Sequence, residues 1–265
     1  MKAICLASSS EGNCFVLRFD IEGRLHNIMV ECGLPYSTIL HKLNEVQIKL
    51  SDIEACLITH HHSDHSKSAS KLIERGIPVF ASKGTFETLN LKGNVIYPKE
   101  KFRVLNGLFG MCFPVEHDAV DSMGFIIKTA TECVIFINDN KKWNTNLLAI
   151  KPDYVFIECN YDHHVVYPQI TALEKEKEEL IPVPANEELI KEVNTKLKQL
   201  DRNVHNHMSL RGCIKGLHKL NLSRCKAIVL MHLSDRYANE YRMKNEIRAE
   251  FGINTFVAKK GGGIK

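Results

Sequence analysis

A chain of 265 residues, 44% hydrophobic and 25% charged, can bury a large core, and its length suits one domain spanning 1–265. Its 35 Lys and Arg against 31 Asp and Glu leave a formal net charge of +4, which tolerates an anionic partner but is too mild to establish nucleic-acid binding. Nine cysteines, an odd number with no Cys-x-x-Cys pair, lie mostly inside apolar runs, which argues against a disulfide framework and for a reducing compartment. In chain order, "KAICLA" and "CFVLRF" predict two strands around the turn-rich "SSSEGN", and "HNIMVEC" predicts a third. Ile39, Leu40, Leu43 and Val46 have helical spacing. Ser51 and Glu54 have the form of a capping box before the strand "ACLIT". "KSASKLIERG" predicts a helix closed by Gly76, followed by the strand "IPVFAS". Further strands are expected at "FGMCFPV", "GFIIKT", "CVIFIN", "DYVFIEC" and "AIVLMHL", with helices at 209–219 and 238–251.

Strands interleaved with helices at both hairpin and crossover spacing indicate a mixed α/β protein with layered sheets. The segment 171–203 stands apart: it is rich in Glu and Lys, has helical apolar spacing and is interrupted by "IPVPAN". It reads as a solvated helical hairpin, with a cover over the site or a homodimer contact as alternatives. The tail "KKGGGIK" is expected to be mobile. The N-terminal apolar stretch is too short for a signal peptide and no run has transmembrane length, so the expected location is cytoplasmic with no membrane partner.

The stretch "LITHHHSDHSKS" holds four of the 13 histidines. If a strand ends near Thr59, the chain leaves extended, so His60, His62 and Asp64 project to one side and His65 follows as a helix begins at Ser66. Imidazoles beside a carboxylate suit Zn²⁺, Mn²⁺ or Fe²⁺, whereas a solvated or chance histidine tract has no need of the aspartate. His117, Asp139 and His232 each follow a predicted strand, where sheet scaffolds commonly carry sites. Singly each is more simply an edge or core residue; beside the first motif they form a donor set. His61 alternates away, His26, His41 and His218 read as solvated surface residues, and Cys32 and Cys159 read as core.

This order of H-x-H-x-D-H, then His, Asp and His resembles the metallo-β-lactamase fold, and within it the YycJ (WalJ) family of nuclease-like proteins. The matching stretches are "LASSSEGNCFVL", "ECGLP", "THHHSDH", "EHDA", "ECNYD", "NHMSL" and "MHLSDRYAN". The resemblance implies an αββα sandwich, two mixed sheets flanked by helices, with two divalent cations (Zn²⁺ or Mn²⁺) at one edge. It assigns His60, His62 and His117 to one cation, Asp64, His65 and His232 to the other, and Asp139 to both. Glu31 stands where the family has an Asp that orients a ligand, so a longer arm is expected to disturb that hydrogen bond. "NDNK" replaces the family's "TDTG", so the loop after Asp139 is expected to be reshaped while the carboxylate survives.

Two close cations activate a water for attack on phosphorus or a carbonyl, and the seven ligands alone do not choose between phosphodiester, lactam and thioester. Asp64, His207 and Glu158 are the catalytic candidates, and Ser209, Asn160 and Asp162 the candidates for binding substrate. Ser209 opens a predicted helix suited to a phosphate oxygen. The resemblance implies that His207 protonates the leaving oxygen while Glu158 holds its tautomer; the competing assignment is that the pair braces the loops. The expected function is phosphodiester hydrolysis, as a 5′-exonuclease on DNA or RNA. A phosphodiesterase acting on a small cyclic nucleotide is the alternative, and a non-catalytic metal-binding regulatory protein the reading from another class.

Overall fold

Short runs rich in Ile, Val and Phe, bounded by turn residues, build two seven-stranded sheets in the computed structural model, which describes residues 1–143, 145–182, 184–258 and 263–264. The first sheet contains β1 (Lys2–Ala7), β2 (Cys14–Ile21), β3 (Arg24–Val30), β4 (Ile53–Leu57), β5 (Val79–Ala81), β6 (Asn94–Val95) and β14 (Gly263–Ile264). Its order is β14-β1-β2-β3-β4-β5-β6, antiparallel from β14 to β3 and parallel from β3 to β6. The second contains β7 (Lys101–Leu105), β8 (Leu108–Pro114), β9 (Met123–Lys128), β10 (Cys133–Ile137), β11 (Tyr154–Glu158), β12 (Ala227–Met231) and β13 (Asn254–Val257). Its order is β13-β12-β11-β10-β9-β8-β7, antiparallel from β7 to β10 and parallel from β10 to β13. Both sheets are therefore mixed.

The pleat explains the layering. Along β1 and β2, Ala3, Cys5, Phe15 and Leu17 join a core shared with Phe125, Val134, Phe136 and Phe156 of the second sheet. Phe15 meets Phe136 edge-on at 5.4 Å between ring centroids, which ties the two inner faces together. The alternate residues Ile4, Val16 and Met29 pack instead under α1 (Tyr36–Glu45), α3 (Ala69–Glu74) and α4 (Lys83–Leu89). On the outer face of the second sheet, Ile135, Ile157 and Leu230 pack under α7 (Leu210–Leu217) and α8 (Glu240–Phe251). Helices thus cover both outer faces, the αββα arrangement that the sequence resemblance implies. The single-turn α2 (Ser63–Ser66) lies between β4 and α3. The long pair α5 (His163–Leu180) and α6 (Glu187–Asn206) packs through Val166 and Leu200 onto Tyr161.

Several expectations are corrected. Ser51 and Glu54 form no capping box: Asp52 accepts from the Lys49 amide at 2.8 Å, and Glu54 lies on β4 facing His26 at 2.8 Å. His26 is therefore buried against a carboxylate, not solvated. The turn after the histidine motif begins at Ser63, so Asp64 and His65 are already helical. The charged hairpin starts at His163 and ends at Asn206, wider than 171–203. Of the tail 259–265, Gly263 and Ile264 pair with β1, and the rest lies outside the described residues. Among the described residues no helix is long and apolar enough to cross a membrane.

Candidate metal centre

The topology gathers the donors before any side chain is considered. β3 and β4 run parallel, and β8 and β10 are both antiparallel to β9, so β8 runs with β10, β11 and β12. Their C-terminal ends carry Glu31, His60, His117, Asp139, Glu158 and His232 in turn. Glu31, Asp139 and His232 adopt φ of 62°, 44° and 57°, left-handed backbone that side-chain-bearing residues rarely take. Strain of this kind persists only where the surroundings over-determine it, and three of the eight such residues among those described stand at this edge.

The loop carrying the histidine motif is clamped from below. The Asn13 amide donates to the Asp64 carbonyl at 2.7 Å and the Cys32 amide to the His65 carbonyl at 2.8 Å. A Cβ on Gly33 would lie 1.6 Å from the Asp64 carbonyl oxygen, so only glycine permits this approach. The matching stretches "EGNC" and "ECGLP" thus act as the cradle of the motif.

Two groups of donors result. His60, His62 and His117 each place a ring nitrogen within 4.8 Å of the others', and Asp64, His65, Asp139 and His232 do the same with two carboxylate oxygens and two ring nitrogens. One Asp139 oxygen, Oδ2, lies 3.6 Å from His117 Nε2 and 3.9 Å from His60 Nε2 in the first group, and 3.2 Å from His65 Nε2 in the second. Its Oδ1 lies 3.4 Å from His232 Nε2. All seven predicted donors therefore converge, with Asp139 between the groups. His60 Nε2, His232 Nε2 and Asp139 Oδ1 are buried without a hydrogen bond, an arrangement that a cation would satisfy.

The electrostatics favour neutral donors at His60 and His117, and set His65 against two carboxylates whose charge a cation would offset. Burial holds the His60 and His117 imidazoles below their ordinary pKa, so each keeps a free lone pair. Burial opposes charge on His65, but Asp139 and Glu31 outweigh it and raise the imidazole well above the usual range. Burial likewise opposes charge on Asp64 and Asp139, but the neighbouring His232 and His65 imidazoles outweigh it and hold both carboxyls low.

Neighbouring residues brace these donors. The longer arm of Glu31 still reaches: Thr59 donates to it through Oγ1 at 2.6 Å and N at 3.2 Å, and His65 Nδ1 stands 3.3 Å from Oε1. Thr59 Oγ1 is also 2.9 Å from His60 Nδ1. The loop after Asp139 is held by Asn140, which accepts from the Glu116 amide at 3.1 Å and donates its own amide to Glu158. Glu158 also faces His207, with Oε1 2.6 Å from Nδ1. Burial works against charge on His207, but Glu158 raises its pKa to about 9.

The three residues expected to bind substrate are engaged otherwise. Asn160 Nδ2 donates to the His232 carbonyl at 2.8 Å and lies 3.1 Å from His232 Nδ1. Asp162 caps α5 through the His164 amide, and Ser209 caps α7 through the Gly212 amide. None of the three lines the cleft over the donors, a cavity of about 400 Å³. His62, Asp64, Asp139, His207 and His232 do line it.

Sequence reasoning missed Asn13, Thr59 and Ser8, whose hydroxyl accepts from the His232 amide at 2.8 Å. It also missed Asp118, 3.2 Å from His117 Nε2, and the face of α6 formed by Gln199, Arg202, Asn203 and Asn206. The last had a signal: those positions repeat at i, i+3, i+4 and i+7.

Residues 26–233 match the family described as the beta-lactamase superfamily domain. Exodeoxyribonuclease WalJ of Streptococcus pneumoniae is 28% identical over 173 residues, 61% of this chain and 63% of that protein. Exodeoxyribonuclease YycJ of Bacillus anthracis is 25% identical over 167 residues, 59% of this chain and 62% of that one. The matched region thus spans less than two thirds of either relative. Among solved structures, Zn²⁺-bound PqqB from Methylobacterium extorquens superposes with a TM-score of 0.67 at 13% identity, covering 100% of both chains. The short form of human tRNase Z gives 0.62 at 16% identity, covering 100% of this chain and 99% of that one. At such identities the structural likeness shows the fold alone.

Proposed function

The chain belongs to the beta-lactamase superfamily, and from that premise we propose that it is a two-cation phosphodiester hydrolase acting as a 5′-exonuclease on a nucleic-acid strand. One observation carries the reading: two donor groups joined by Asp139, in which His60 Nε2, His232 Nε2 and Asp139 Oδ1 are buried without hydrogen bonds. Imidazole and carboxylate donors fit Zn²⁺ or Mn²⁺. His60, His62 and His117 would hold one cation, Asp64, His65 and His232 the other, and Asp139 both. Bound there, the cations supply a Lewis-acid field that lowers the pKa of an attacking water and neutralises charge on the phosphate.

The chain's own groups supply the rest. With Nδ1 facing Glu158, His207 presents Nε2 to the cleft, protonated at neutral pH, as the acid for the departing 3′-oxygen. Glu158 also accepts from the Asn140 amide, which fixes that acid relative to the Asp139 loop. The names of the exodeoxyribonuclease relatives support a nucleic-acid substrate. A second reading, hydrolysis of a small cyclic nucleotide, is favoured by the α6 wall, which leaves a cavity of about 400 Å³, within the ordinary range for small ligands.

The test uses protein loaded with Mn²⁺ or Zn²⁺ and Asp64→Ala as the blank, on a 5′-phosphorylated single-stranded oligonucleotide and a panel of cyclic nucleotides. Stepwise release of mononucleotides from the 5′ end, absent in the variant, is the expected result. Opening of a cyclic nucleotide with the oligonucleotide intact would transfer the activity to the small substrate. Inertness on both with cations bound would leave only the non-catalytic reading.

A further inference from the structure

The hairpin α5–α6 is rich in charged residues from Glu174 onward, yet its two helices differ in what they meet. Leu200 and Val204 of α6 pack toward Tyr161 and Val166, while Gln199, Arg202, Asn203 and Asn206 line the cleft. This is one amphipathic helix with its polar face turned to the donors. Two asparagines tether that face. Asn203 Nδ2 donates to Asn160 Oδ1 at 2.8 Å, and Asn206 Nδ2 donates to Asp118 Oδ2 at 3.0 Å. The helix is thereby tied to residues beside both donor groups, since Asn160 holds His232 and Asp118 stands by His117.

Arg202 precedes the first of these tethers on the same face, exposed at the cleft. Arg236 lines the cleft from the turn after β12, and that turn is also anchored to the Asn160 segment. The Ser234 amide donates to the Asn160 carbonyl at 2.8 Å, and the Asp162 amide to the Tyr237 carbonyl at 2.9 Å. Among the described residues neither arginine has a carboxylate partner. Two unpaired guanidinium groups on braced backbone, beside a cluster suited to a scissile phosphate, are arranged for a second anion.

We propose that Arg202 and Arg236 bind a second, non-scissile phosphate of the substrate, so that the hairpin selects strands carrying a phosphate one nucleotide from the bond cut. This rests on the phosphodiesterase reading. It makes the hairpin the wall that separates a nucleic-acid strand from a molecule with a single phosphodiester. The planar fork of each guanidinium suits a terminal or bridging phosphate, whereas a cyclic mononucleotide has no second phosphate to offer.

Equilibrium binding tests it without turnover: a nucleoside 3′,5′-bisphosphate and a nucleoside 5′-monophosphate are titrated into cation-loaded protein. Wild type is expected to bind the bisphosphate roughly tenfold or more tightly over the monophosphate. R202A and R236A should each shrink that preference to about threefold or less, with R202K restoring part of it. K198A, an exposed cation of the same helix outside the cleft lining, should keep the full preference. A kinetic arm compares a dinucleotide with a terminal 5′- or 3′-phosphate against the same dinucleotide with neither. The loss in R202A should fall mainly on KM. Equal binding of the two nucleotides by wild type, or full preference in both alanine variants, would overturn the assignment. Failure of wild type to cleave any dinucleotide would sink the phosphodiesterase reading separately, while the bisphosphate preference still decides the arginine pair.

Discussion

Gly33→Ala tests how the metal centre is held. The added methyl carbon would stand 1.6 Å from the Asp64 carbonyl oxygen, 2.0 Å from its carbon and 2.6 Å from the His65 nitrogen. To reach ordinary contact the Asp64–His65 peptide must retreat by about 2 Å, and close-packed interiors offer no such room. The Asn13 hydrogen bond to that peptide, and the Cys32 hydrogen bond to the adjoining His65 carbonyl, then break. Two backbone bonds at about 1 kcal/mol each, with overpacking strain of about 1–3 kcal/mol, give a loss of about 3–5 kcal/mol. For a chain of this length that is a fall in Tm of roughly 6–20 °C. Asp64 and His65 move with the peptide, so hydrolysis should fall by about a hundredfold or more. Calorimetry with and without Zn²⁺, alongside cation counting, reads both effects. A Tm within about 2 °C of wild type, with the cation count unchanged, would refute the clamp.

Three further outcomes follow from the same contacts. Glu158→Gln removes the charge that holds His207 protonated, and kcat for the oligonucleotide should fall by about 10²–10⁴-fold with cation stoichiometry intact. Asp153 is 1% exposed and meets Arg224 at 3.0 Å; burial opposes its charge, but the Cys133 amide and Arg224 outweigh it and hold the carboxyl below its usual range. A depressed carboxyl stabilises the fold above its unfolded pKa of about 3.9 and loses that contribution as pH falls through the folded value. Because Arg224 and Lys226 are half exposed, the loss in Asp153→Asn is about 1–2 kcal/mol at pH 7. The difference in Tm between variant and wild type should therefore close as the pH is lowered below about 4. Finally, Zn²⁺ at about one hundred times its Kd should stabilise the protein by about 2.7 kcal/mol, reversed by chelator and visible as a rise in Tm.

What the sequence revealed depends on how local each signal is. The motif from His60 to His65 is contiguous, and strands such as "CVIFIN" are continuous apolar runs, so both are legible residue by residue. The convergence of His117, Asp139 and His232 depends on strand order; their places after predicted strands made them a donor set beside the motif, and only the family resemblance divided that set between two cations. Short edge strands such as Asn94–Val95 have too few residues for periodicity to register. Glu54 misled because a capping-box spacing also occurs by chance beside a strand, where a cross-strand partner, His26, competes for the carboxylate. Asn160, Asp162 and Ser209 were expected to bind substrate, and in the structure their polar atoms serve the His232 carbonyl and two helix caps. Gln199 to Asn206 escaped because a charged helix was read by composition, when the period of its polar residues carried the information.

The most direct test of the account is anomalous diffraction from crystals of the protein loaded with Zn²⁺ or Mn²⁺. The account predicts two peaks, one among His60, His62 and His117, the other among Asp64, His65 and His232, with Asp139 reaching both. A single peak, or cations at Asp162, His163 and His164 with the strand-end cluster empty, would contradict it.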